Sequence, residues 1–169
     1  MMIKPEELKG FSLFQGIDDG SLSKLVGLCN VYPMHEGDKL FAEGTRATDV
    51  HFCLKGMVDI VIWVRSPWNK NVAVHRAQPG ELFGWSALVA PYTYTASAEC
   101  VESGEELRIK GYELMTILDK EPSMGYAVIR NLGSEISARL AQTRQRLSTE
   151  LLTDGPQAGS NTWGETGKR

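Results

Sequence analysis

Hydrophobic and polar positions divide the chain into three regions of different period. From Glu6 to Leu28 the apolar residues recur at helical spacing. Phe11, Leu13 and Phe14 precede a turn at Gly16, and Asp18, Asp19 and Ser21 offer N-cap oxygens to a helix carrying Leu22, Leu25, Val26 and Leu28. From Asn30 to Lys110 the pattern changes to short β-type runs punctuated by Gly37, Gly44, Gly56, Gly80 and Gly104, with turn signals at Glu36-Gly37 and Gln78-Pro79-Gly80. Many short strands at regular spacing predict a sandwich, roll or barrel. Within this region Met57 to Val64 is almost continuously apolar, as expected of a strand covered on both faces for part of its length, and Ser66 to Asn71 reads as a surface loop.

From Gly111 the helical period returns. Tyr112 to Asp119 predicts a short amphipathic helix, and Pro122, tolerated at a first helical position, opens a long one reaching about Leu152. After Leu152 the chain turns to Gly, Pro, Ser, Thr and Asn, a composition that buries no core. The expected plan is a helical lead-in over 1–28, a β region over 29–110, C-terminal helices over 111–152 and a flexible tail over 153–169.

Composition narrows the function classes. With 169 residues, 42% hydrophobic and 23% charged, the chain is long enough for one domain with a real core, and no apolar run approaches the length of a membrane span. The first residues lack the pattern of a secretory signal, so a cytoplasmic location is expected. A net charge of −3 gives no global attraction to nucleic acid, and Arg139, Arg144 and Arg146 read as a solvated helix flank. Cys29, Cys53 and Cys100 are odd in number and far apart, which predicts buried thiols rather than disulfides or zinc ligands. His35, His51 and His75 each stand alone; His51 and Cys53 alternate onto one strand face, but two ligands close no metal site. No nucleophile elbow or phosphate-binding Gly-Lys loop is present, so neither catalytic residues, nor a metal, nor a cofactor is expected.

The order of elements, with Leu13-Phe14, "YPMHEGDKLFAEG" from Tyr32, "HFCLKGMVDIVI" from His51, "PGELFG" from Pro79 and "TASA" from Thr95, resembles the cyclic nucleotide-binding domain of catabolite-activator and FNR-like regulators. The resemblance implies a mainly β fold, a β-roll (double-stranded jelly roll) with N-terminal helices and a long C-terminal helix. It also implies that residues 80–98 form a phosphate-binding cassette, in which a short helix presents amides to the cyclic phosphate, a carboxylate takes the ribose and an Arg pairs with the phosphate. At the carboxylate position this chain has Trp85, and at the Arg position Tyr94, or Thr93 if the register shifts by one. The implied ligand site is then Phe83, Gly84, Trp85, Ser86, Ala87, Tyr94, Thr95 and Ala96, suited to a nucleotide-like or aromatic small molecule.

On the long helix Ile129, Leu132, Ile136, Leu140, Thr143, Leu147 and Leu151 follow spacings of 3, 4, 4, 3, 4 and 4, an eleven-residue repeat close to that of a straight helix. Packing on the chain's own roll accounts for this stripe to about Ile136 and is strained beyond it. The resembling regulators pair this helix with its copy, which implies a homodimer through Ile129, Leu132, Ile136, Leu140, Leu147 and Leu151. The expected function is a regulatory or sensor module without enzymatic activity. It would bind cyclic AMP or cyclic GMP weakly or not at all, with an effector protein as partner and no membrane or nucleic acid. A ligand-free dimerisation or protein-interaction scaffold is the alternative.

Overall fold

The computed structural model describes residues 3–154. It opens with α1 (Pro5–Leu8), a 3-10 turn at Ser12–Phe14 and α2 (Asp19–Val26). Asp18 caps α2, accepting from the Ser21 backbone N–H at 3.0 Å and from the Ser21 hydroxyl at 2.7 Å, so that one donor orphaned at the helix start is satisfied. Six strands follow: β1 (Asn30–Met34), β2 (Lys39–Phe41), β3 (Asp49–Val64), β4 (Lys70–Ala77), β5 (Leu82–Phe83) and β6 (Ser97–Lys110). A second 3-10 turn, Trp85–Leu88, lies between β5 and β6, and α3 (Gly111–Lys120) and α4 (Pro122–Asp154) end the described chain. The mainly β roll with flanking helices that the sequence predicts is the observed architecture. The tail expected over 153–169 lies, from residue 155 onward, outside the described residues; Thr153 and Asp154 still belong to α4.

All pairings are antiparallel, in the order β1-β6-β3-β4, with β2 also on β6 and β5 on β3. The apolar run at Met57 to Val64 is the second half of one 16-residue strand. β3 and β6 run together through three register breaks between Cys53 and Val58. There the backbones come too close for side chains. A Cβ on Gly56 would lie 2.3 Å from the Glu102 carbonyl oxygen, and one on Gly104 would lie 2.1 Å from that of Lys55. Bulges of this kind bend strands, and two apolar clusters result. The smaller joins Met34, Cys53, Val58, Ala77, Phe83, Ala98 and Cys100. The larger packs Phe14, Phe52, Leu82, Leu107 and Ile109 against the helices through Leu22, Leu25, Leu114, Val128 and Leu132. Cys53 and Cys100 are buried, whereas Cys29, expected to be buried, is only half-buried. Burial still pushes the Cys29 thiol up to about 11 and Cys53 to about 12.

α4 starts in the larger cluster with Met124, Val128 and Leu132, and Asn131 Nδ2 donates to the carbonyls of Leu13 and Gln15, each at 3.0 Å. Beyond Ile136 the helix does not leave the roll as the sequence suggests. Arg139 is buried, and Gln142, Gln145, Arg146 and Thr149 line a gap of about 360 Å³ with Val74 and His75 of β4. The inner face is polar there, so the helix stays beside β4 without a dry contact. Leu132, expected on an intermolecular stripe, is instead consumed by the chain's own core, and Ile136 packs against that core. Ile129 and Leu140 are exposed, while Leu147 and Leu151 are half-buried.

Gly56→Ala is expected to destabilise the fold by about 3 kcal/mol. A left-handed backbone costs a non-glycine residue roughly 1–3 kcal/mol, and the clash with Glu102 adds to it. Gly27→Ala, with φ −66° and nothing near the added methyl, is the control and should shift stability by less than about 1 kcal/mol. Urea unfolding followed by circular dichroism measures both.

Candidate functional site

β5 ends at Phe83, and Gly84 turns the chain with a left-handed φ of 69°. Glycine is required twice over, since a Cβ would also stand 2.8 Å from His51 Cδ2 and 3.1 Å from Phe41 Cε1. The 3-10 turn that follows buries Ser86, Ala87 and Leu88 and leaves Trp85 half-exposed.

Beneath Gly84 lies an aromatic floor. The Tyr94 ring stacks on Phe41 with centroids 3.9 Å apart and planes at 10°, and His51 stacks on Phe83 at 5.2 Å. Tyr94 is 5% exposed. Its hydroxyl donates to the Asp49 carbonyl at 2.9 Å and lies 3.3 Å from His51 Nε2. His51 Nδ1 is 2.7 Å from Glu106 Oε2, and the other Glu106 oxygen accepts from Arg108 Nε at 2.7 Å. Burial raises the Tyr94 pKa above its ordinary value, so the ring remains a neutral phenol.

Over this floor is a cavity of about 40 Å³. Phe83, Gly84, Trp85, Ser86, Tyr94, Thr95 and Ala96, all expected at the ligand site, line it. Ala87 does not line it. Its carbonyl backs against α3, where a Cβ on Gly111 would come within 2.3 Å of it, and it borders a separate groove beside Tyr92 and Tyr112. Phe41, Ile60 and Arg139 complete the lining and were not expected there. Arg139 is a correction, because the sequence places it on a solvated flank while the structure leaves it 8% exposed. Its guanidinium carbon sits 5.3 Å from the centroid of the Trp85 ring. Arg139 continues the inward line of Val128, Leu132 and the half-buried Ile136 at helical spacing, and that periodicity is the signal in the sequence. Burial draws the Arg139 pKa below its ordinary value, with the charges of Glu81 and Glu135 opposing.

A second polar pair joins β4 to the turn before β5. His75 Nε2 lies 2.7 Å from Glu81 Oε2, which also accepts from the Gln78 N–H at 3.2 Å. Among the described residues no group of three His, Cys, Asp or Glu side chains is placed to hold a metal ion, and no helix is long and apolar enough to cross a membrane.

The model of the cyclic nucleotide-binding domain family matches residues 33–121, more than half of the chain. The chain belongs to the cyclic nucleotide-binding domain family. Among solved structures, a cyclic nucleotide-binding protein of Geobacter metallireducens is 26% identical with a TM-score of 0.71, covering 82% of this chain and 99% of that one. A cyclic nucleotide-binding domain from Methylobacillus flagellatus, at 17% identity and TM-score 0.72, covers 86% and 80%. The Thermus thermophilus catabolite activator protein, at 22% and 0.67, covers 84% and 63%. The last two show the fold alone. A curated relative from Rhodopseudomonas palustris, named as a candidate potassium channel protein, is 25% identical over 133 residues, 74% of this chain. The chain spans about a third of that relative's length. As a cyclic nucleotide-binding domain, the molecule has the regulatory, ligand-sensing fold of its family, and Trp85 and Tyr94 line its cavity.

Burial and the Arg139 charge hold His75 below its ordinary pKa, while Glu81 and Glu135 oppose them. Protons therefore favour the unfolded chain. The His75 contribution to stability is full above the unfolded value of about 6.5 and is lost as pH falls below it toward the folded value. Urea midpoints between pH 7.5 and 5 are expected to fall less steeply in His75→Gln than in the wild type. Equal slopes would mean that His75 does not titrate on unfolding.

Proposed function

We propose that this domain is a regulatory sensor module without enzymatic activity, that it binds cyclic AMP and cyclic GMP weakly or not at all, and that it acts in the cytoplasm as a homodimer joined along α4. The observation that carries this reading is the content of the cassette. Where the family pattern has a carboxylate for the ribose and an Arg for the phosphate, this chain has Trp85 and Tyr94, and Tyr94 is stacked and hydrogen-bonded in place. A hydrogen bond to a charged group contributes about 1.5–3 kcal/mol, so losing both anchors weakens a cyclic nucleotide by roughly two to four powers of ten. The cavity of about 40 Å³ admits a few water molecules, and a nucleotide enters only if Trp85 and Arg139 swing aside. The absence of catalysis is supported by the commitments of the polar groups: His51 is engaged by Glu106 and Tyr94, and the thiols are held protonated.

A second reading, a ligand-free dimerisation or interaction scaffold acting on an effector protein, is favoured by the way Trp85 packs against the core and Tyr94 fills the floor. Calorimetry separates a nucleotide receptor from both readings. No dissociation constant for cyclic AMP or cyclic GMP at or below about 10 μM, roughly −6.8 kcal/mol, is expected, and a tighter one overturns the proposal.

The dimer is supported by the outward face of α4, where Tyr126, Ile129 and Leu140 are 71%, 45% and 60% exposed. Apolar side chains buried against a partner contribute about 1.5–3 kcal/mol each, and soluble monomers rarely leave such a stripe in water. Light scattering at tens of micromolar is expected to give a dimer. Leu140→Asp with Leu147→Asp is expected to give a folded monomer, because two carboxylates in the seam lose hydration. A monomeric wild type overturns the dimer and leaves the helix on its own domain, and a dimeric double variant places the pairing elsewhere.

A further inference from the structure

Arg139 is more than nine-tenths buried, yet among the described residues its guanidinium has no hydrogen-bond or ion-pair partner. Its close contact is the face of Trp85, and Glu81 and Glu135 act on it only through space. A guanidinium presents five N–H donors in a planar fork. The guanidinium nitrogens keep only residual contact with solvent, and the cation–π contact leaves all five donors without a protein acceptor. The cavity that Arg139 borders also has Ser86 and Thr95 in its wall, an aromatic floor, and no Asp or Glu lining it. A cation and two hydroxyl-bearing residues around a space free of carboxylates match an oxyanion.

We propose that Arg139 is the anion-binding residue of this pocket, pairing the oxyanion of a phosphate or a phosphate-bearing ligand between α4 and the Gly84–Ser86 turn. The positive charge missing from Tyr94 is supplied by the last helix instead. The inference rests on reading the pocket as a ligand site and names the chemistry that site selects. A bound oxyanion joins α4 to the cassette directly, through one side chain.

The test uses the full chain at low ionic strength with three probes: inorganic phosphate, cyclic AMP and neutral adenosine. Arginine Nε–H signals are followed by NMR, that of Arg139 being identified by its loss in Arg139→Lys, and melting temperatures are recorded in parallel. Saturable shifts of the Arg139 signal with phosphate assign a free oxyanion; shifts with cyclic AMP but not phosphate assign one carried on a nucleotide. In either case Arg139→Gln is expected to weaken binding by about tenfold to a hundredfold and to abolish the ligand-induced rise in melting temperature. Arg139→Lys, which keeps the charge but not the fork, should fall between. Because Arg139 has no partner to orphan, Arg139→Gln is expected to fold and, without ligand, to melt no lower than the wild type. No saturable shift with phosphate or cyclic AMP below about 10 mM means that the cavity holds water only and overturns the proposal. Equal oxyanion affinity in Arg139→Gln overturns it as well. Adenosine binding without any oxyanion response rejects the role of Arg139 while leaving the ligand-site reading intact.

Discussion

The burial of one carboxylate organises this molecule's site. Glu106 has no contact with water, and a buried carboxyl group is tolerable only when donors surround it. Arg108 supplies two of them from the same strand, and His51 supplies the third from β3. Fixing the His51 ring beneath Gly84 leaves no room for a side chain there, sets the stack on Phe83, and presents a ring nitrogen to the Tyr94 hydroxyl. Tyr94 thus has a structural task as well as a place in the cavity wall. It closes a polar chain that begins inside the sheet, and its ring completes the packing of Phe41. Removing the Tyr94 side chain takes the ring from the Phe41 stack and the hydroxyl from the Asp49 carbonyl, so a change at this position acts on the roll as well as on the cavity.

The parts of this structure that were legible in the sequence are those encoded within short stretches of chain. The helical and strand periods, the Asp18 cap and the segment from Phe83 to Ser86 each depend on neighbours a few residues apart. Where two distant segments meet, the pattern was silent or misleading. Gly56 reads as a break between strands, but β3 passes through it, because what the glycine answers is the Glu102 carbonyl on another strand. Phe41, Ile60 and Arg139 reach the cavity from three separate elements, and nothing local to any of them announces the other two. Ala87 stands apart for a geometric reason: a 3-10 turn rotates by about 120° per residue, so the position after the lining residues Trp85 and Ser86 can face the opposite way. Its sequence neighbourhood points to the cavity, whereas its orientation puts it in the wall against α3.

α4 is two helices in energetic terms, joined without a break. Its first half is held by apolar burial and by Asn131, whose amide grips two carbonyls of the N-terminal turn. Its second half lies over β4 on Gln142, Gln145, Arg146 and Thr149, with the gap of about 360 Å³ between. Arg139 stands where one regime gives way to the other, its guanidinium against the Trp85 ring at the cavity over the aromatic floor.

A rigid tilt of the helix about the Asn131 anchor would make it a lever. At 1.5 Å per residue the short arm, to Arg139, is about 12 Å long, and the long arm, to Asp154, about 35 Å. The long arm faces β4 with polar side chains across the gap, and its Leu147 and Leu151 are only half-buried. A displacement of Arg139 normal to the helix axis is therefore multiplied about threefold at the far end, so that a shift of 1 Å against the indole, on the order of a change in one packing contact, carries the terminus roughly 3 Å.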